Sequence, residues 1–185
     1  PFVAYDNHIN VDATGNNDGL VDYGELITMD VTLSNFGMMS ASGVSAQLTC
    51  SNSSVTILDD IDSWGTIASG SSGLVTNAFS VNIADDIADL EIINFELTVN
   101  DNNSNSWTSY FSTTAHAPAL EIGELTIDDG QGNGNGRIEA GETVTFLLPS
   151  NNNGSSDCSG LIGTLSCSSS YVSISNNSAS FGALS

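Results

Sequence analysis

Residues 118–185 repeat residues 1–68 without a gap. Pro118 falls on Pro1, Asp129 on Asp12, Gly132 on Gly15, Asn133 on Asn16 and Gly136 on Gly19. Gly141-Glu142 falls on Gly24-Glu25, Thr145 on Thr28, Asn152 on Asn35, Gly154 on Gly37 and Gly160 on Gly43. Leu165 and Cys167 fall on Leu48 and Cys50, Val172 and Ile174 on Val55 and Ile57, Phe181-Gly182 on Trp64-Gly65, and Ser185 on Ala68. Self-similarity at a fixed offset marks two copies of one structural unit. The expected domains are therefore 1–117 and 118–185, the second shorter by 49 residues (117 minus 68).

Each copy reads as strands. Ile27, Met29, Val31 and Leu33 alternate with polar or small residues, as do Val44, Ala46, Leu48 and Cys50. Ile93, Phe95, Leu97 and Val99 form another period-two run, and Val75, Phe79 and Val81 a weaker one. Such alternation belongs to half-buried antiparallel strands. Further strands are predicted near 2–11, 54–58, 61–67 and 107–113, and the Asn100–Asn105 tract reads as a turn. Ala84–Asp89 reads as a strand connection rather than a helical turn. About seven strands in one copy is the size of an immunoglobulin-like sandwich. The predicted fold is all-β: tandem immunoglobulin-like antiparallel β-sandwiches, the second incomplete in this chain. The second copy has no counterparts of the 75–81, 93–99 and 107–113 strands, so it would expose core and strand edges. The expectation is that the chain continues past Ser185. The competing expectation is that another copy supplies strands by β-augmentation, as in a polymer.

Composition narrows the function. The chain has 22 Asp plus Glu and a single strong base, Arg137, giving a formal charge of -21. It cannot neutralise phosphates, so nucleic-acid binding is excluded. Anionic membranes would repel it, no apolar run is long enough to span a bilayer, and lysine chemistry is absent. Hydrophobic residues make up 39%, enough for a folded core. No signal peptide opens the chain, which reads as a mature or excised extracellular segment. With one Arg, trypsin-like proteases have essentially one bond to cut.

The strongest chemical motif follows the first strand. With Thr14 as position 1 of a twelve-residue loop, Asn16 is position 3, Asp18 position 5, Gly19 position 6, Leu20 position 7, Asp22 position 9 and Glu25 position 12. A calcium loop places oxygen ligands at 1, 3, 5, 7 (a backbone carbonyl), 9 and 12, with Gly at 6. The second copy keeps the spacing with Gln131, Asn133, Asn135, Gly136, Arg137, Glu139 and Glu142. Thr14 and Gln131 depart from the usual acidic first position, and Asp12 and Asp129 are candidates to supply that carboxylate. Arg137 holds the carbonyl position, leaving its side chain free to point outward. Four carboxylates within fourteen residues repel one another, and a hard divalent cation relieves that repulsion. Asn135 in place of Asp18 predicts weaker calcium binding in the second loop. Strands rather than helices flank both loops, so the expectation is a calcium loop built into a β-sandwich. The alternative is a metal-free Gly/Asn/Asp turn.

This loop pattern, the strand after it, Asn35-x-Gly37, Ala41-Ser-Gly43-Val44, Val55-x-Ile57 and Trp64-Gly65-x-Ile67 together resemble a known module. It is similar to the tandem immunoglobulin-like modules downstream of the catalytic domain in gingipain-like cysteine peptidases of Bacteroidetes. Other large surface proteins exported by the type IX route carry similar modules. The resemblance implies bound calcium and a stalk or adhesion role. The peptidase's catalytic Cys and His motifs have no counterpart here.

No catalysis is expected. Cys50 and Cys167 read as buried core residues, and Cys158 and Cys167 lie too far apart along one strand for a disulfide; an intermolecular bridge through Cys158 is the remaining option. His8 reads as an ordinary strand residue and His116 as a linker residue. Trp64 reads as a core aromatic, and Trp107 and Tyr110 fall on opposite faces of one strand. The expected function is a non-catalytic, calcium-stabilised extracellular spacer, adhesive or filament-forming segment of a bacterial surface protein. Its partners would be calcium ions and the rest of the parent chain or other copies of itself. The alternatives are an accessory region of a secreted gingipain-like peptidase and a glycan-binding sandwich.

Overall fold

The computed structural model describes residues 1–185, in two compact units, Pro1–Ala117 and Pro118–Ser185. Unit 1 holds β1 (Val3–Val11), β2 (Val21–Asp22), β3 (Leu26–Asn35), β4 (Ala41–Cys50), β5 (Val55–Asp59), β6 (Ile61–Ile67), β7 (Ser72–Ile83), β8 (Ile92–Asn100) and β9 (Ser106–His116). One sheet runs β1-β3-β7-β5 and the other β2-β9-β8-β4-β6. The arrangement matches the immunoglobulin sandwich, four strands facing a sheet centred on three, with β6 as an added edge. All long strands pair antiparallel, and only β2 joins parallel, to the end of β9.

Alternation decides what lies between the sheets. Ile27, Met29, Val31 and Leu33 of β3 are buried with Phe79 and Val81 of β7; Val44, Ala46 and Leu48 of β4 face them with Ile93, Phe95, Leu97 and Val99 of β8. Each of these side chains except that of Ala46 contributes about 1.5–3 kcal/mol by leaving water. Trp64 closes one end, its indole N–H donating to the Val31 carbonyl at 3.2 Å. Phe111 stacks on Phe95 and on Tyr5, with ring centroids 5.1 and 4.7 Å apart.

Unit 2 holds β10 (Leu120–Ile122), β11 (Thr126–Asp128), β12 (Thr145–Leu147), β13 (Ser150–Asn152), β14 (Cys158–Thr164) and β15 (Ser178–Leu184). Its pairings repeat those of unit 1 at the sequence offset. Val3 pairs Asn35 and Leu120 pairs Asn152; Val11 pairs Thr28 and Asp128 pairs Thr145; Ala41 pairs Ile67 and Cys158 pairs Leu184. The Asn35 amide donates to the Met39 and Ile67 carbonyls, and the Asn152 amide to those of Ser156 and Leu184.

The sequence reading needs correction at three places. The short β2 was not foreseen, because two residues carry no periodic signal. Cys167 is exposed rather than a buried core residue, Cys50 is half-buried and Cys158 is buried; all three thiols are free. His116 is a strand residue of β9 rather than a linker.

Candidate metal centre

The Asp12–Glu25 loop leaves β1 and returns into β3, so the sandwich pins both its ends. Asp12 is buried, and its carboxylate accepts the Asp18 amide at 2.9 Å and the Gly19 amide at 3.3 Å. Those bonds fold the loop back over its own start. Gly19 has a φ of +82°, the left-handed bend that the sixth position requires. Glu25 closes the loop from its other end, accepting the Asn16 amide at 3.1 Å and the Asp22 amide at 3.3 Å. A Cβ at Gly15 would overlap the Glu25 carboxylate and push it from this position.

At the centre, the Asn16 side-chain amide donates to Asp18 at 3.1 Å and to Asp22 at 2.8 Å. Two carboxylates thus converge on one partially positive N–H₂ group. The second Asp22 oxygen, Oδ1, is buried and has no hydrogen-bond donor, in a side chain only 4% exposed. A buried carboxylate oxygen without a partner costs free energy that a cation would recover. The Glu25 carboxyl titrates above its ordinary value, chiefly because it is buried, with Asp22 and Asp12 adding to the rise and the Asn16 and Asp22 amides opposing it.

Unit 2 builds the same loop. Buried Asp129 accepts the Asn135 amide at 2.9 Å and the Gly136 amide at 3.2 Å. Glu142 accepts the Asn133 amide at 3.3 Å, and the Asn133 side chain donates to Glu139. A Cβ at Gly132 would meet Glu142, and the buried Glu142 Oε2 has no donor.

The structure therefore brings Asp12, Asn16, Asp18, Asp22 and Glu25 together, and likewise Asp129, Asn133, Asn135, Glu139 and Glu142. Thr14 stands apart, its hydroxyl 3.5 Å from the Leu26 carbonyl, and Gln131 is exposed. The Leu20 and Arg137 amides donate to the side chains at position 5, and both residues point their side chains to solvent. No three acidic, His or Cys side chains converge as a ready-made cage. The reason is visible in loop 1: the Asn16 amide sits between the carboxylates that would have to close on an ion. The donor set, hard oxygens with uncompensated buried charge, fits a hard divalent cation. The sequence reading missed Gly15 and Gly132 as parts of the site, although their repetition at one offset was the available signal.

The other candidates resolve by placement. His8 Nδ1 lies 2.6 Å from the Tyr5 hydroxyl and its ring packs on Phe111. Trp107 packs against the core while Tyr110 is exposed, so they do not form one aromatic platform.

No family model matches the chain, and no curated protein matches it. Among solved structures, it is similar to a conjugative transposon lipoprotein from Bacteroides eggerthii, at 20% identity and a TM-score of 0.31. That match covers 60% of this chain and 93% of the lipoprotein, and a likeness so distant carries no argument about function.

Proposed function

We propose that the chain is a non-catalytic, extracellular β-sandwich segment of a bacterial surface protein, with each unit braced by one calcium ion. One observation carries the calcium reading. Two loops at the same repeat position share the bonds to their first Asp and from the third-position amide to their last Glu, and each leaves one buried carboxylate oxygen without a donor, Asp22 Oδ1 at position 9 of loop 1 and Glu142 Oε2 at position 12 of loop 2. In loop 1, Asp12, Asn16, Asp18, Asp22 and Glu25 would hold the ion; in loop 2, Asp129, Asn133, Asn135, Glu139 and Glu142 would. The ion neutralises carboxylates that otherwise repel. Binding only the folded loop, it stabilises the folded unit by mass action. A spacer or adhesive role is the reading that an all-β sandwich unit of this kind supports.

Calorimetric titration of chelator-stripped protein tests this reading. Two calcium-binding events are expected, the weaker in loop 2, where Asn135 replaces the carboxylate of Asp18. Absence of any heat with calcium overturns it.

A further inference from the structure

The Asp12–Glu25 loop does more than close on itself. Its second half forms β2, which lies parallel to the end of β9, Val21 opposite Ala115 and Asp22 opposite His116. The Tyr23 amide then donates to the His116 carbonyl at 2.9 Å. Val21 and Ala115 are both fully buried at this seam. The opposite edge of the strand end is held independently: Ala115 donates to the Glu91 carbonyl at 2.8 Å, and the Ala117 amide to Asp89 at 3.0 Å. The residues that end unit 1 are thus gripped from two sides, and one grip is the candidate metal loop. Asp22 belongs to both structures. Its carboxylate faces Asn16 and carries the unpartnered oxygen, while its backbone is half of β2.

We propose that this loop is a cation-operated latch on β9: calcium bound through Asp22 holds β2 in place, and β2 clamps Ala115–His116. The proposal rests on the calcium reading above and adds a coupling to it. A two-residue strand is too short to hold its geometry without support at both ends. Glu25 anchors one end, through the Ile83 amide donating to the Glu25 carbonyl at 2.9 Å. The other end is the loop itself, where carboxylates repel until an ion joins them. Anything that orders Asp22 therefore orders β2, and by reciprocity the docked β2 favours the ion. Loop 2 supplies an internal control. It keeps the bonds to Asp129 and from the Asn133 amide to Glu142, yet no strand forms at Ile138-Glu139 and Ile138 is exposed, so calcium there has no strand to clamp.

Backbone amide hydrogen exchange on the whole chain, with calcium and with chelator, tests the latch, alongside calorimetry on the same samples. Calcium is expected to slow exchange at Tyr23, whose amide crosses the seam to His116, by roughly fivefold or more, the lower end of typical coupling. Amides in the middle of β8 should stay unchanged. Asp22→Asn should move the effect to about tenfold higher calcium, and chelation gives the same comparison without any substitution. Tyr23→Pro removes the donor to His116 but no carboxylate, and should weaken calcium binding at loop 1 alone. Calcium heat with unchanged exchange at Tyr23 overturns the latch and leaves the calcium reading standing. Uniform slowing throughout unit 1 also overturns it, because that is global stabilisation. No heat at all overturns both.

Discussion

Val21 is 1% exposed in unit 1, and its repeat counterpart Ile138 is 58% exposed in unit 2, although their loops close with the same hydrogen bonds. The contrast recurs through the repeat. Leu48 is 1% exposed and Leu165 42% exposed. Loop closure therefore needs only local sequence: a buried Asp, a left-handed Gly and a closing Glu. Burial of the apolar positions needs β7, β8 and β9, which have no counterparts among residues 118–185. Local geometry and core formation are separable in this repeat, and the two units display the separation side by side.

The largest test of that contrast is a matched pair of truncations. Leu48→Ala should cost unit 1 about 2–5 kcal/mol, as a large-to-small core change does. Leu165→Ala should cost less than about 1 kcal/mol, as an exposed position does. Urea unfolding with separate probes for each unit measures both, and equal costs would break the comparison. Calcium comes next. At free calcium about a hundred times the Kd, unit 1 should gain roughly 2.7 kcal/mol. Chelation should then lower its Tm by roughly 10 °C. Asp22→Asn and Glu139→Gln should each weaken only their own loop by about tenfold, ~1.4 kcal/mol, so calorimetry of the two variants assigns the sites.

Arg137 offers a probe of loop 2 alone. Trypsin should cut after Arg137 and nowhere else, and calcium should slow the cut by ordering the loop. Cleavage at one rate with and without calcium would mean that the ion does not order loop 2.

The smallest effect is a pH dependence of unit 1 without calcium. Glu25 is raised above its ordinary value by burial and by its acidic neighbours, so the folded state holds that proton more tightly than the unfolded chain. Stability should therefore rise as pH falls from above the folded value toward the ordinary Glu value, and then level off. Calcium should reverse this slope by holding the carboxylate ionised, so that stability then falls as pH falls. Denaturation at stepped pH measures it, and a slope of opposite sign would contradict the placement of Glu25.

Much of this was legible in the sequence because its signals are local or periodic. Alternation placed β3, β4 and β8, and the spacing from Asp12 to Glu25 placed every carboxylate that the loop gathers. Other features arise from contacts distant in sequence. Nothing in Val21-Asp22 announces a parallel strand on residues 115–116. Thr14 shares the position-1 spacing, yet its hydroxyl faces Leu26. Cys50 and Cys167 are repeat equivalents, but only Cys50 packs against a core, because only unit 1 has β8 to cover that strand.

The sequence by itself determined the repeat, its all-β character and the spacing of both acidic loops, since each depends on residues close together in the chain or on simple alternation. Only the tertiary structure decided which apolar residues are buried, that β2 docks on β9, and that Asp22 Oδ1 is left without a donor. Burial and desolvation depend on what covers a side chain, and in a sandwich the cover comes from strands many residues away.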